Sequence, residues 1–169
     1  VTLHQSAFAV ASYPHRTFED LVVGERRQSC EKRVELDEVL DFARTYDPQW
    51  FHVDPELAKQ SAFGEVVASG IHILAMWRVL DHEMNADIDY VCGIGWDDLR
   101  MRQAVRPGDT IHVTSEIVEL TPSTTNAKRG TAITRYAVIN QRGEKAVTFT
   151  SINLVYTRAG RQRPADSIR

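Results

Sequence analysis

Asp47 and His52 stand five residues apart in the stretch TYDPQWFHVDPELA, with Pro48, Gln49, Trp50 and Phe51 between them. Free Asp titrates near about 4 and free His near about 6.5, so at neutral pH one is a carboxylate and the other holds or releases a proton. Held close together, the two can polarise a water molecule. Five residues on an α-helix turn through about 500°, which leaves the two side chains about 140° apart. Pro48 also pushes Asp47 out of the right-handed helical region. If the two side chains meet, an irregular loop brings them together, and a polar pair on a loop beside two aromatic rings is a candidate site. The residues alone leave a second role open. In that role Asp47 caps the turn before Pro48, and His52 packs its ring against Phe51.

A second cluster of interest is VVASGIH. Ser69 is a good N-cap for a helix opening at Gly70, and a helix start presents unpaired N–H groups and a partial positive charge. A glycine there lets a substrate oxygen approach the backbone, which suits an oxyanion hole. The same glycine also suits close packing of the helix start against another backbone. His72, one turn in, reads as a hydrogen-bonded histidine on a core helix. His52, Asp54 and His72 are metal-ligand types, but their spacing matches no zinc pattern such as H-E-x-x-H, so no metal is expected. Ser69 lacks the G-x-S-x-G setting of a nucleophile, and neither cysteine has a recognisable partner.

These residues need elements to position them. Leu36 to Tyr46 has apolar residues at Val39, Leu40, Phe42, Ala43 and Tyr46, the spacing of one helix face, with Asp37 as its N-cap. A second short helix follows His52, capped by Asp54 with Pro55 at its first position. From Gly70 to Leu80 the chain is apolar nearly all the way round, which predicts a buried helix stopping near Asn85. Ahead of these, a strand with interrupted alternation is expected through about Val34, after a turn at Gly24. In the second half the period changes to alternating, β-branched segments. They are punctuated at Pro107-Gly108-Asp109 and Arg142-Gly143 and predict long antiparallel strands, with Arg100, Arg102 and Arg106 on one face. A buried helix followed by such a meander predicts an α+β fold, a long curved antiparallel sheet wrapped around the helix.

With 169 residues the chain suits one domain able to bury a core without staples. A net charge of −3 argues against nucleic acid as the main partner. Cys30 and Cys92 are too few for a disulfide framework and predict buried or semi-buried thiols in a reducing compartment, with the cytoplasm as the default. The opening residues read poorly as a signal peptide, and no apolar run approaches the roughly 20 residues needed to cross a bilayer. The C-terminal stretch TRAGRQRPADSIR carries four arginines and reads as a solvated, poorly ordered tail. Residues 1–17 are taken as an N-terminal extension, 18–157 as the domain and 158–169 as the basic tail.

The segments FARTYDPQWFHVDPELA, FGEVVASGIH and LRMRQAVRPGDTIHV, in that order and at matching distances, resemble the MaoC-like dehydratases, also called (R)-specific enoyl-CoA hydratases, of the hotdog fold. The resemblance spans about Phe18 to Thr157. It implies that Asp47 and His52 are the catalytic pair, that the Gly70 amide belongs to the oxyanion hole, and that Gly70 to Leu80 is the central helix of a single hotdog. It also implies an acyl-CoA thioester as substrate, with coenzyme A part of the substrate and no separate cofactor, and a homodimer. Family members often carry Asn-Pro-aliphatic between the Asp and the His, where this chain has Gln49, Trp50 and Phe51. The acyl pocket is therefore expected to be reshaped by Trp50 and Phe51, with Ser69 and His72 also among the substrate-binding candidates. Two rival activities share the fold: an acyl-CoA thioesterase and a non-catalytic acyl-binding subunit. Many hotdog thioesterases carry a catalytic carboxylate on or beside the central helix. Here none lies between Gly70 and Leu80, only Asp81 and Glu83 near its end, which favours hydration.

Overall fold

A computed structural model describes residues 14–161. The expectations for the first thirteen and last eight residues lie outside the described residues. After a 3₁₀ turn at Phe18–Asp20 come β1 (Arg26–Gln28), β2 (Lys32–Arg33), α1 (Leu36–Tyr46), α2 (Trp50–Val53), α3 (Pro55–Ala58) and α4 (Gly70–Asn85). The long strands follow: β3 (Tyr90–Met101), β4 (Thr110–Pro122), β5 (Arg129–Asn140) and β6 (Lys145–Tyr156). They form a six-stranded antiparallel sheet in the order β1-β4-β5-β6-β3, with β2 also paired to β4. Alternate residues of β4, β5 and β6 face α4. Ile111, Val113, Tyr136, Val138, Val147 and Phe149 meet Ile73, Met76, Trp77 and Leu80 in one buried cluster. This is the expected α+β hotdog, an unclosed antiparallel sheet with a central helix.

Two turns behave as the sequence requires. Gly108 and Gly143 have φ values of 92° and 77°, the left-handed region that glycine enters without a Cβ penalty. Asp54 accepts from the Glu56 and Leu57 amides, capping α3 with Pro55 at its first position. Ser69 caps α4, and α4 ends at Asn85.

Several expectations are corrected. Helix α1 opens at Leu36, so Glu35 and not Asp37 is its N-cap, and no side chain makes a capping bond there. The strand expected through Val34 is two short pieces, β1 and β2: the Ser29 amide still donates to the Val113 carbonyl, but the Val113 amide returns to the Ser29 hydroxyl instead of to its carbonyl, which breaks the ladder there. Strand β3 starts at Tyr90, well before the expected alternation, and ends at Met101. Arg102 and Arg106 therefore lie beyond it and do not share one strand face with Arg100. Cys30 and Cys92 are exposed, not buried. The first arginines of the tail are tied to the domain: Arg158 pairs with Asp20, and Arg161 with Asp89 at 3.2 Å. Finally, α4 is not covered all round. Ile71, Ala75, Arg78, Val79 and His82 leave one stripe of it open.

Candidate active site

Helix α1 ends at Tyr46 and is capped by Asp47, whose amide bonds to the Ala43 carbonyl at 2.9 Å. Pro48 then stops any continuation, and the chain turns back so that the Gln49 amide meets the Asp47 carbonyl at 2.8 Å. One helical turn, α2, carries His52 on its buried side, with its amide on the Gln49 carbonyl. The connection is thus tighter than the irregular loop expected from the sequence. Its outcome is the expected one: His52 Nε2 lies 3.8 Å from Asp47 Oδ2.

What fixes each partner differs. His52 is 6% exposed, and its Nδ1 lies 2.6 Å from the Val67 carbonyl oxygen. A carbonyl only accepts, so Nδ1 carries the proton and Nε2 is left to face Asp47. The 3.8 Å gap is too long for a direct hydrogen bond and short enough for one water molecule to bond both groups. Asp47 Oδ2 accepts from the Ser69 hydroxyl at 2.6 Å, and Oδ1 accepts from Gln49 Nε2 at 3.2 Å. The Ser69 hydroxyl, reinforced by the Gln49 amide and the neighbouring His52 imidazole, holds the Asp47 carboxyl below its ordinary range against the opposing effect of burial.

Ser69 ties this pair to α4. Its oxygen also accepts from the Ile71 amide at 3.3 Å, so one hydroxyl both caps the helix and steadies the carboxylate. Among the described residues the Gly70 N–H has no hydrogen-bond acceptor. That leaves a free donor at a helix start, one residue from the group that holds Asp47. A Cβ on Gly70 would meet Met101 Cε at 3.0 Å and Sδ at 3.3 Å, so the Met101 thioether forms the wall opposite this amide.

The other candidate residues fall in three places. Phe51 packs against the His52 ring at 4.4 Å and against Phe63 at 5.5 Å, while Trp50 meets Phe51 edge-on and is half exposed. Both rings flank the pair. Ser69, read from sequence as contacting substrate, is 1% exposed and turned to Asp47, so the structure makes it a positioning group. His72 is not part of the constellation. Its ring stacks on Phe42 at 4.4 Å, its Nε2 is 3.8 Å from Glu38, and its buried Nδ1 lacks a partner, which corrects the expectation of a hydrogen-bonded histidine. Sequence reasoning missed the Val67 carbonyl and the Met101 wall. A backbone acceptor has no residue-type signal, and Met101 reaches Gly70 only through sheet pairing. Among the described residues no three His, Cys, Asp or Glu side chains gather as a metal site would require.

A carboxylate and an imidazole 3.8 Å apart, close enough for one water beside them to bond both, and an unpaired helix-start amide nearby form a group suited to general acid–base chemistry. Residues 18–142 match the MaoC like domain. A 3-hydroxyacyl-thioester dehydratase from Mycobacterium tuberculosis is 34% identical over 112 residues, covering 61% of this chain and 74% of the relative. The crystal structure of a MaoC-like dehydratase from Rhodospirillum rubrum superposes with a TM-score of 0.79 at 34% identity, over 85% of this chain and 98% of that one. A Mycobacterium tuberculosis protein with a double hotdog fold has a TM-score of 0.72 at 16% identity, over 90% of this chain and 47% of its own, a likeness of fold alone. The chain belongs to the MaoC-like domain family of hydratases and dehydratases.

Proposed function

We propose that this protein adds water across the 2,3 double bond of a 2-enoyl-CoA thioester, or removes it from the 3-hydroxyacyl-CoA in reverse. The observation that carries this reading is the His52 Nε2 to Asp47 Oδ2 gap of 3.8 Å, with Nδ1 committed to Val67. A water bridging the two from alongside gives one hydrogen to Nε2 as its oxygen attacks C3, while the carboxylate accepts its other hydrogen and orients it. Electrons move onto the thioester oxygen, which the Gly70 amide and the start of α4 stabilise. The proton held on His52 then returns to C2, so one water supplies both the hydroxyl at C3 and the hydrogen at C2. Trp50 and Phe51 bound the acyl end. Coenzyme A enters as part of the substrate, no separate cofactor takes part, and the protein works in the cytoplasm as a homodimer.

Thioester hydrolysis is the competing reading, and the central helix speaks against it. Asp81 is 2% exposed and its carboxylate already accepts from Tyr136 at 2.7 Å, Asn85 at 2.8 Å and Arg78 at 2.8 Å. It lies three turns, about 16 Å, along α4 from Gly70. Glu83 is taken up by Cys30 Sγ at 2.6 Å on the surface. Neither is free to activate a water at the site. Incubation with crotonyl-CoA tests the assignment: loss of enoyl absorbance without release of thiol is expected. Release of thiol from crotonyl-CoA or from saturated acyl-CoAs would make the protein a thioesterase. Binding without turnover across a broad enoyl-CoA panel would make it a carrier or a silent subunit.

A further inference from the structure

The chain is acidic overall, at −3, yet one groove on it collects cations. It lies on the sheet face turned away from α4, has a volume of about 460 Å³, and is crossed by β1, β4, β5 and β6. Register explains the lining. Arg26, Glu116 and Arg135 are cross-strand neighbours in one row, and Gln28, Thr114, Ala137 and Thr148 form the next. Lys145 opposes Ile139 at the groove's end. Two arginines share one carboxylate here: Arg26 at 3.1 Å and Arg135 at 3.3 Å from Glu116. Among the described residues Lys145 has no carboxylate partner. The groove therefore carries an excess of positive charge that the fold itself does not use.

This groove borders the end of β3, whose last residue faces the reaction site. Arg102 donates from Nε to the Thr148 hydroxyl at 2.8 Å, and Thr148 lines the groove. Arg102 follows Met101, whose side chain forms the wall against Gly70. Thr148 pairs with Arg100 on β3, one strand spacing of about 4.8 Å away, so the near edge of the groove borders the last residues of β3. The other arginines of this region are committed, Arg106 to Glu65 at 2.6 Å and Arg100 to Asp98 at 3.8 Å. Arg102 has no carboxylate partner among the described residues.

We propose that the groove lined by Arg26, Arg135 and Lys145 seats the phosphate-bearing nucleotide end of a coenzyme A thioester, with Arg102 leading the arm of that molecule past Met101 to Gly70. Guanidinium groups match phosphate oxygens two at a time, and a lysine adds a point charge. A concave site of this volume is of small-molecule size, whereas an acidic carrier protein would require a broader, flatter face. The proposal rests on the hydratase reading only for what happens at the acyl end.

The test uses the full chain and the double variant Arg135→Gln/Lys145→Gln, which leaves the catalytic groups untouched and keeps one arginine opposite Glu116. Calorimetric titration with coenzyme A and with adenosine 3′,5′-bisphosphate is compared at low and physiological salt. In parallel, kcat/KM is measured for crotonyl-CoA and for crotonyl N-acetylcysteamine, which lacks the nucleotide. Binding of both nucleotides, weakened about tenfold in the variant and further by salt, is expected. The loss in kcat/KM should be confined to crotonyl-CoA. Unchanged nucleotide binding in the variant overturns the groove, as does an equal loss with both thioesters. A loss seen only with a carrier-protein-linked substrate also overturns it, in favour of a protein partner. Nucleotide binding that behaves as expected without any hydration upholds the groove and sinks the hydratase reading. Hydration with insensitive nucleotide binding does the reverse.

Discussion

At the residue scale the decisive feature is which imidazole nitrogen is left to work. The Val67 carbonyl, 2.6 Å from Nδ1, forces His52 into the tautomer whose Nε2 is a lone-pair acceptor facing Asp47. Removing a general acid or base typically costs about 10² to 10⁴ in rate. His52→Ala and Asp47→Asn should each lose that much in kcat with crotonyl-CoA, while circular dichroism and thermal melting show an intact fold. Loss of only a few-fold would mean that the water is activated elsewhere. Ser69 makes a finer prediction through pH. Its hydroxyl at 2.6 Å is the largest cause of the depressed Asp47 pKa. A carboxyl depressed in the folded state contributes stability that is present above its unfolded value, near about 4, and is lost as pH falls through the lower folded value. Ser69→Ala removes the largest cause of that depression. The titration of the Asp47 carboxyl, followed by carbon NMR, should then move to higher pH, and about 1 kcal/mol of stability should go with the lost cap. An unmoved titration would show that the Ser69 hydroxyl does not hold the carboxylate.

At the element scale, what could be read from the sequence was whatever local chemistry dictates. The Asp54 and Ser69 caps, the apolar period of α4 and the glycine turns at Gly108 and Gly143 each act within a few residues, and each stands where the pattern puts it. Strand β3 was half hidden because three register shifts interrupt it, between Tyr90 and Cys92, Gly93 and Gly95, and Asp97 and Arg100, with Asp98 at φ 53°. Bulges break the alternation by which a strand is recognised, so tertiary pairing with β6 had to supply the missing information. The single turn α2 was equally invisible, being too short to have a period. The Met101 wall follows from that pairing and carries its own prediction. Gly70 is helical, so Ala is allowed by its backbone, and the added Cβ meets only the flexible end of Met101 at 3.0 Å. Gly70→Ala should therefore leave the melting temperature within a few degrees, since helix propensity gained, about 0.5–1 kcal/mol, offsets crowding. Because the methyl occupies the space beside the proposed oxyanion donor, kcat/KM should fall by about tenfold or more. The double variant Gly70→Ala/Met101→Ala reopens that space and should recover part of the loss. Additive losses would deny that the two residues share one wall.

At the scale of the whole molecule, the pattern of α4 says more than one chain can satisfy. An all-round apolar helix predicts burial on every side, and the sheet buries only one side, through Ile73, Met76, Trp77 and Leu80. Ile71, Ala75 and Val79 form a stripe at intervals of four residues on the open side, with Ile71 58% and Val79 38% exposed. Among the described residues β3 stands at the end of the sheet order with one edge unpaired, and it too exposes apolar side chains, Ile94 and Trp96. Free strand edges and contiguous apolar surface are features that soluble monomers suppress. A second copy of the chain would cover both at once, and the excess apolarity of the Gly70 to Leu80 segment is then the sequence's share of that contact. Val79 offers the cleanest probe, because it lies on the open stripe two turns from Gly70 and outside the catalytic constellation. Wild-type protein should run as a dimer by light scattering. Val79→Glu should place a charge in a desolvated contact, shift the population to monomer, and lower thermal stability in a concentration-dependent way. A wild-type monomer whose melting temperature ignores concentration would mean that the open stripe of α4 is covered by something other than a second copy.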